Sequence, residues 1–301
     1  MISKDKVTEI FCSIDDFCKE FVPLFEKRLL GVGKKRKRAS RLSLSEVMTI
    51  QVLFHLSRIR DFKTFYTGYV KEYLVGYFPD TVSYNRMVEL CSESMLPLLA
   101  YLKTQGTGSC SGISFIDSTP LRVCHNRRIH SHKVFDVIAQ RGQCSIGWFF
   151  GFKLHIVTND SGHIIDFLIT PGNKDDRTPL RLENFIAKLW GKLYGDKGYI
   201  GKELFTELFS NGIHLVTKLK KNMKTKLLTP MYDVVMLRKR AIVESIIDQL
   251  KNIFQIEHSR YRSPVNFFTN VCSGLIAYNF TEKKPSLNIN FVRTDQLCLN
   301  L

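Results

Sequence analysis

Several features that define other protein classes are missing from this 301-residue sequence. It contains no uninterrupted apolar run of about 18 residues, so we do not expect a membrane-spanning helix. Its first residues, MISKDKVTEIF, carry charges where a secretion signal would be apolar. Its eight cysteines include no C-x-x-C pair. That pattern disfavours disulfides and a zinc site, and indicates a cytoplasmic protein with reduced thiols.

Acidic residues are scarce relative to basic ones. There are 28 Asp and Glu against 44 Lys and Arg, which leaves a net charge of +16. Such an excess attracts nucleic acids, because cationic side chains neutralise phosphates and release counterions. The charge is clustered in KKRKRASR (34–41) and KLKKNMKTK (218–226). The first cluster is equally consistent with a solvated loop, so the whole pattern, not that segment, predicts DNA as the partner.

Residues 1 to about 108 predict an all-helical region. Apolar residues recur at three- and four-residue steps from Val7 to Phe21. Ser43 stands three residues before Glu46, the spacing of a capping box that begins a second helix. A single helix is predicted from Ser83 to about Lys103. Short helices beside a basic loop suit a DNA-binding module of the helix-turn-helix type.

The Gly- and Ser-rich segment TQGTGSCSG (104–112) marks a domain boundary, and short strands follow it. The predicted strands are 113–117, 150–159, 164–170, 192–196 and 213–219, and the predicted helices are 177–189, 201–210 and 238–254. This order, β-β-β-α-β-α-β-α, predicts an α/β fold in which helices flank a mixed sheet. The domain is predicted to span 109–283 and to precede a tail, 284–301.

Acidic residues follow two of the predicted strands. Asp117 ends the first strand, in FIDS, and Asp196 ends the fourth, in YGDKG. In a ribonuclease-H-like sheet these strands are neighbours, so the two carboxylates would meet at one edge. A divalent cation offsets the repulsion between them, and Glu244 on the last helix can supply a third oxygen ligand. Such a set suits Mg²⁺ or Mn²⁺, and two ions about 3.5–4 Å apart can promote phosphoryl displacement.

Further motifs extend this pattern over residues 110 to 280. They are FIDSTPL, GWFFGFKLH, TPGNKDDR, YGDKGYIG, KRAIVESIIDQLKN, IEHSRYRS and NFFTNVCSGLIAYNF. Together they resemble the DDE transposases of bacterial insertion sequences, and the helical region resembles them more loosely. The resemblance implies that Asp117, Asp196 and Glu244 are the catalytic residues and bind two metal ions. A family signature of Tyr, Arg, Glu and Lys is matched except at the Tyr position, which holds Leu237.

The resemblance also implies an activity. The enzyme would cut DNA at the ends of its element, expose a 3′-hydroxyl and join that end to target DNA. A homodimer assembled on two DNA ends is expected, since each chain offers one acidic triad and an element has two ends. Two alternatives remain open at this point. One is a metal-dependent nuclease of the same fold, and the other is an inactive DNA-binding protein.

Basic residues around these motifs are predicted to contact DNA. They are Arg127, Arg128, Lys133, Lys197, Lys220, Lys221, Arg240, Lys251, Arg260 and Arg262. We expect CHNRRIHSHK (124–133) to be a phosphate-binding loop beside Asp117, because its histidines lack the partners of a zinc site. Asp175 and Asp176 precede a predicted helix and are assigned to capping. Asp248, one turn after Glu244, is the best substitute for it as a ligand.

Overall fold

The N-terminal region is helical, as predicted. The computed structural model describes residues 2–29, 40–145, 147–218, 230–257 and 261–287. The helices in this region are α1 (Lys4–Leu29), α2 (Leu44–Ser57), α3 (Phe62–Thr64), α4 (Lys71–Tyr73), α5 (Tyr84–Glu93) and α6 (Met95–Thr104), with a π-helix at Phe65–Val70. None of the described helices is long and apolar enough to cross a membrane.

Local sequence signals explain where two of these helices begin. The capping box is confirmed: the Ser43 hydroxyl accepts from the Glu46 amide at 3.2 Å, and the Glu46 carboxylate accepts from the Ser43 amide at 2.7 Å. The prediction of a single helix from Ser83 is wrong, because the helix is interrupted at Ser94, between α5 and α6. Pro97 explains the break, since it has no amide to donate to residue 93 and its ring clashes with that carbonyl.

The remaining chain forms a six-stranded mixed sheet. Its strands are β1 (Ile113–Cys124), β2 (Gln140–Cys144), β3 (Gly147–Asn159), β4 (Ile164–Pro171), β5 (Gly191–Gly195) and β6 (Ile213–Thr217). The order is β4-β3-β1-β5-β6, and β2 pairs with the first residues of β3. Strands β1, β3 and β4 form an antiparallel meander, whereas β5 and β6 run parallel to β1 and to each other. This topology is ribonuclease-H-like, which confirms the predicted fold.

Three details of the sheet domain differ from the prediction. Strand β1 continues to Cys124, because the long strand β3 pairs with it as far as residue 124, so Asp117 does not end the strand. Strand β2 was not predicted. The helix predicted over 177–189 is only a 3-10 turn and a short helix α7 (Glu183–Ile186), because the backbone is extended at Leu182.

Helices cover both faces of the sheet. These are α8 (Lys202–Ser210), α9 (Met231–Lys239), α10 (Ala241–Asn252) and α11 (Pro264–Asn279). A large core on one face joins α10, α11 and the N-terminal helices to β1 and β3, while a smaller core on the other face holds α7 and α8. Because α11 packs on α2 and α6, the helical region and the sheet share one core. The predicted boundaries at 108/109 and 283/284 stay predictions.

Candidate active site

The pairing of β1 with β5 brings two of the predicted acids to one edge of the sheet. The last pair of the parallel ladder is Phe115 with Tyr194. Asp117 stands two residues further along β1, and Asp196 directly follows Gly195, the last residue of β5. A β-carbon added to Gly195 would come within 3.1 Å of Tyr199 and 3.3 Å of Ile116 on β1. The side chain of Asp196 is exposed. The ladder therefore places both acids where β5 ends and β1 continues.

Helix α10 supplies the third acid through an ion pair. It packs over β1, with Arg240 just before its first residue and Glu244 in its first turn. One guanidinium nitrogen of Arg240 lies 3.2 Å from Asp117 Oδ2, and another lies 2.6 Å from Glu244 Oε1. Arg240 is only 14% exposed. A single, partly buried cation thus pairs with two of the three acids, a role that the spacing of the sequence did not reveal.

Burial dominates the electrostatics of Asp117. Its side chain is 22% exposed, and this burial raises its pKa. The charge of Arg240 and the hydrogen bond from the Ser118 amide oppose the rise, and the nearby charge of Glu244 adds to it. Glu244 itself is 57% exposed. Asp117 is therefore a partly desolvated carboxyl beside one cation and one further acid.

The three acids fit a divalent metal in their chemistry. All three offer carboxylate oxygens, the ligands that Mg²⁺ and Mn²⁺ prefer. Within the described residues, no three His, Cys, Asp or Glu side chains already converge as a metal-binding group. Two of the three acids, Asp196 and Glu244, are exposed, so their side chains can reorient toward Asp117. The site is thus suited to a hard cation by donor type and accessibility.

Asp176 belongs to this site, although it was assigned to capping. Its Oδ1 accepts a hydrogen bond from the Ser118 hydroxyl at 2.9 Å and from Lys153 Nζ at 3.0 Å. Its neighbour Asp175 instead binds Arg177, at 2.8 Å through the amide and 2.6 Å through the guanidinium. The sequence gives one signal for this role of Asp176: a single arginine, Arg177, follows the two acids, so only one of them can pair with it.

Two buried polar side chains stand beside Asp176. Tyr199 has a buried hydroxyl with no hydrogen-bond partner among the described residues. Burial, and then the charges of Asp117 and Asp176, raise its pKa well above the usual value. His155 is fully buried, shares a hydrogen bond with the Thr170 hydroxyl, and has a pKa lowered to about 4, chiefly by burial. His155 is therefore a neutral core histidine, whereas the Tyr199 hydroxyl is close enough to Asp117 and Asp176 for both charges to raise its pKa.

Comparison with known proteins is decisive for the family. The sequence model of one protein family, the transposase DDE domain, matches residues 107–264, which is more than half of the chain. This chain belongs to the DDE transposases. Among solved structures, a piggyBac transposase synaptic complex with hairpin DNA, determined by cryo-EM, aligns with a TM-score of 0.44 and 10% identity. The alignment covers 90% of this chain and 72% of that chain. No curated protein sequence matches.

The predicted phosphate-binding loop of this transposase lies at the far end of β1. Arg127 and Arg128 are exposed in a 3-10 turn (Asn126–Ser131), and Lys133 is exposed just beyond it. Cys124 is seven positions after Asp117 in β1, a distance of about 23 Å along an extended strand. The prediction that this loop lies beside Asp117 is therefore wrong. The reason is that β1 extends through the segment in which a loop was expected.

The loop is nevertheless a surface of unpaired cations. Among the described residues, Arg127, Arg128 and Lys133 form no ion pair. The Asn126 side chain donates to the Trp148 carbonyl at 2.7 Å, which ties the loop to β3. The guanidinium of Arg141 lies 5.2 Å from the centre of the Trp148 ring. We refer to residues 125–133, with Arg141, as the basic end of β1.

The other predicted DNA contacts of the transposase differ in their surroundings. Lys251 donates to the Pro120 carbonyl at 2.7 Å and pairs with Glu257 at 2.9 Å, so it anchors α10 to β1. Lys197, directly after Asp196, and Arg262 are exposed. Lys220, Lys221 and Arg260 lie outside the described residues, as do 34–39 and 219–226 of the two basic clusters.

The remaining alternatives can also be located. Asp248 is exposed and accepts from the Asn252 side chain at 2.6 Å, one turn beyond Glu244 and without a contact to Arg240. Glu244 is the acid that the Arg240 ion pair joins to Asp117. Leu237, at the position of the missing tyrosine, is buried in the large core. These placements favour Glu244 over Asp248 as the third acid.

Proposed function

We propose that this chain is the transposase of a bacterial insertion sequence and that it cuts and joins DNA strands at Asp117, Asp196 and Glu244. One observation carries the proposal: the β1–β5 register brings Asp117 and Asp196 to one edge, and Arg240 links Asp117 to Glu244. Three carboxylates at the edge of a ribonuclease-H-like sheet are suited to phosphoryl transfer, because they can hold hard cations beside a phosphodiester.

The reaction has two displacements at phosphorus. In the first, water attacks a phosphodiester at the element's end, the bond to the 3′ oxygen breaks, and a 3′-hydroxyl is released. In the second, that hydroxyl attacks a phosphodiester of target DNA and displaces the 3′ oxygen there. Mg²⁺ or Mn²⁺, with two ions per site, would activate the attacking oxygen and stabilise the leaving oxygen. The chain contributes Asp117, Asp196 and Glu244 as the ligands.

Several basic residues would orient the DNA. Lys197 directly follows Asp196 and is exposed, so it can contact a phosphate next to the acids. Arg240 offsets the repulsion between Asp117 and Glu244. Arg127, Arg128 and Lys133 can contact the same duplex further along, because a distance of about 23 Å corresponds to roughly seven base pairs at 3.4 Å each. Lys220, Lys221, Lys251, Arg260 and Arg262 remain further candidates.

We assign recognition of the element's ends mainly to residues 1–108 and nonspecific affinity to the lysines of 218–226. Because the helical region shares its core with α11, this division must be tested in the full chain. Photo-crosslinking to terminal DNA and to unrelated DNA, followed by mass spectrometry, is suitable. Crosslinks in 1–108 that appear only with terminal DNA are expected. Equal crosslinking of this region to both DNAs contradicts the assignment.

The working form is expected to be a dimer on two DNA ends. Each chain supplies one acidic triad, and closed two-fold symmetry is the usual arrangement of identical subunits. The free protein can still be monomeric, since DNA reduces the repulsion between chains of charge +16. Light scattering with terminal DNA and Ca²⁺ measures the stoichiometry. A competent complex of one chain and one DNA end contradicts the dimer.

The decisive experiment is a cleavage and joining assay. The protein is incubated with Mg²⁺ and DNA that carries the element's ends, and both nicked and joined products are measured. Asp117→Asn is the inactive variant, and Asp175→Asn is the matched control, because Asp175 binds Arg177 at the surface. Nicking without joining indicates a nuclease, and DNA binding without either product indicates an inactive descendant of a transposase.

A further inference from the structure

The hydrogen-bonded ladder between β1 and β5 stops short of the catalytic acids. Its last pair is Phe115 with Tyr194, whereas Asp117 and Asp196 stand two residues further on. Strand β5 ends at Gly195, which pairs with Thr217 of β6, and the chain then enters a 3-10 turn at Lys197–Tyr199. We call residues 196–200 the Asp196 turn. Since backbone pairing is what fixes the spacing of parallel strands, the distance between the two acids needs another support.

Asp176 contacts both sides of this gap. Its Oδ1 accepts from the hydroxyl of Ser118, the residue next to Asp117, at 2.9 Å. Its Oδ2 faces the Asp196 turn, where a β-carbon added to Gly198 would lie 3.9 Å away. The charges of Asp176 and Asp117 both raise the pKa of Tyr199 in the same turn, after burial. One carboxylate therefore lies between the strand that carries Asp117 and the turn that carries Asp196.

Lys153 holds this carboxylate in place. Its ammonium lies 3.0 Å from Asp176 Oδ1 and also donates to the Lys174 carbonyl at 3.0 Å. The Lys153 side chain is 13% exposed, so the pair is less screened by solvent than a surface ion pair. Because Oδ1 accepts from Ser118 and from an ammonium, this oxygen is poorly placed to bind a metal. The contacts of Asp176 are those of a residue that supports the site.

We infer that Asp176, held by Lys153, is a positioning residue that keeps the Asp196 turn against β1 so that Asp117 and Asp196 can share a metal. The inference rests on the proposed function, because it assigns a common ligand to these two acids. It differs from the capping role assigned on sequence grounds, which is wrong for both acids: Asp175 accepts from the Arg177 amide within a turn, and the 3-10 turn that follows has Thr178 at its start and no side-chain cap. Outer partners of this kind typically change metal affinity or activity by about 10–100-fold when they are removed.

The test measures Mn²⁺ binding and local opening in the full chain without DNA. Asp176→Ala is compared with Asp175→Ala, its adjacent and chemically identical control. Mn²⁺ affinity is measured by electron paramagnetic resonance, and deuterium uptake is measured in peptides that cover residues 194–201. We expect Asp176→Ala to weaken Mn²⁺ binding about 10–100-fold and to increase uptake in these peptides. Asp175→Ala should leave both unchanged.

Two further variants separate positioning from folding. Asp176→Asn keeps the acceptor for Ser118 and should recover part of the Mn²⁺ affinity. Ser118→Ala removes one hydrogen bond and should give a smaller loss, which keeps the test informative if Asp176→Ala does not fold. A thermal unfolding curve accompanies each variant. The decisive comparison is made about 20 °C below the melting temperature of the variant. If Asp176→Ala has a lower melting temperature but binds Mn²⁺ as tightly as the wild type at that temperature, the inference is overturned.

The proposed function fails in a different way. If Asp117→Asn binds Mn²⁺ as tightly as the wild type, and neither protein cuts DNA, then the acids are not a metal site and the inference falls with the function. If Asp117→Asn loses Mn²⁺ binding while Asp176→Ala retains it together with wild-type deuterium uptake, only the inference falls. Loss of binding in both variants, with Asp175→Ala unaffected, supports both.

Discussion

Strand β1 carries two regions of opposite chemical character: the residues around Asp117 in its first half, which we call the acid end, and the basic end beyond Cys124. Around Asp117, acidic side chains are held by internal cations: Asp117 and Glu244 by Arg240, and Asp176 by Lys153. At the basic end, Arg127, Arg128 and Lys133 have no acidic partner among the described residues. The same strand thus connects acids that form ion pairs within the protein to exposed cations that are available to bind an anionic partner.

This difference separates chemistry from binding. A phosphodiester approaching bare carboxylates would be repelled, and the internal cations reduce that repulsion at the acid end. Exposed and unpaired cations provide attraction to phosphates elsewhere on the surface, which is the main source of affinity for DNA. The comparison therefore predicts that changes at the acid end affect the rate of cleavage, and that changes at the basic end affect affinity.

The largest expected effect is on cleavage. Asp117→Asn, Asp196→Asn and Glu244→Gln each remove a ligand charge with little change in volume, and should lower the cleavage rate at least about 10³-fold, equivalent to several kcal/mol. DNA affinity should stay within about threefold of the wild type, because phosphate contacts determine it. Gel-based cleavage and fluorescence anisotropy measure the two quantities. Near-wild-type cleavage by any one variant removes that residue from the site.

The next effect is on affinity. Arg127→Gln with Arg128→Gln removes two potential phosphate contacts, so the slope of log K against log salt should fall by about 1.8. At physiological salt this corresponds to an affinity about 30-fold weaker. Cleavage at saturating protein should be unchanged. Arg181→Gln with Lys202→Gln removes the same charge beside α8 and serves as the control. An equal loss in both double variants would mean that only net charge matters.

The sequence predicted the fold well because its signals are local or follow from strand order. The capping box at Ser43 and, apart from the unpredicted β2, the β-β-β-α-β order each depend on neighbouring residues. The β1–β5 register then brings Asp117 and Asp196 to one edge of the sheet, two residues beyond its last pair, as strand order alone had suggested. Features that depend on short sequence patterns or on the order of strands are therefore predictable from this sequence.

The surroundings of the acids could not be predicted in the same way. Lys153 and Asp176 are 23 residues apart, and Lys251 and Pro120 are 131 apart. Such contacts depend on how β3 and α10 pack against β1, and no periodicity encodes them. The extension of β1 to Cys124 depends likewise on the length of its partner β3. For this reason the sequence alone predicts the basic loop beside Asp117, whereas the loop lies beyond Cys124.

A third effect concerns the pH dependence of folding. Burial lowers the pKa of His55 and of His155 to about 4, from 6.5 in the unfolded chain. The unfolded state therefore binds more protons between these values, and stability is present above pH 6.5 and lost as the pH falls toward 4. For each histidine, the free energy of unfolding should fall by about 2 kcal/mol as the pH is lowered from 7 to 5. Urea unfolding at both pH values measures this loss.

Substitutions locate the source of that pH dependence. His155 on β3 stands opposite Ser118 on β1, near the acid end. In His155→Gln, the fall in the free energy of unfolding between pH 7 and pH 5 should be smaller by about 2 kcal/mol. His130→Gln at the basic end is the control, because an exposed side chain stays in water in both states. If the two variants have the same pH dependence, burial near the acid end is not its cause.

The smallest expected effect tests whether stability alone can imitate a loss of function. The Tyr278 hydroxyl, buried in α11, donates to the Gly162 carbonyl at 2.6 Å and so fastens the β3–β4 turn, away from both the acids and the basic end. Tyr278→Phe leaves that carbonyl without its donor and should lower the unfolding free energy by about 1 kcal/mol.

Tyr73→Phe is the matched control for this change, because Tyr73 is exposed and its substitution should change stability by less than about 0.5 kcal/mol. Both variants remain folded at 25 °C, since typical domains have a free energy of unfolding of about 5–15 kcal/mol. Cleavage rate and DNA affinity should therefore equal those of the wild type in both. A fall in either quantity for Tyr278→Phe at 25 °C would show that α11 transmits strain to β1, and the separation of the two ends by function would then no longer hold.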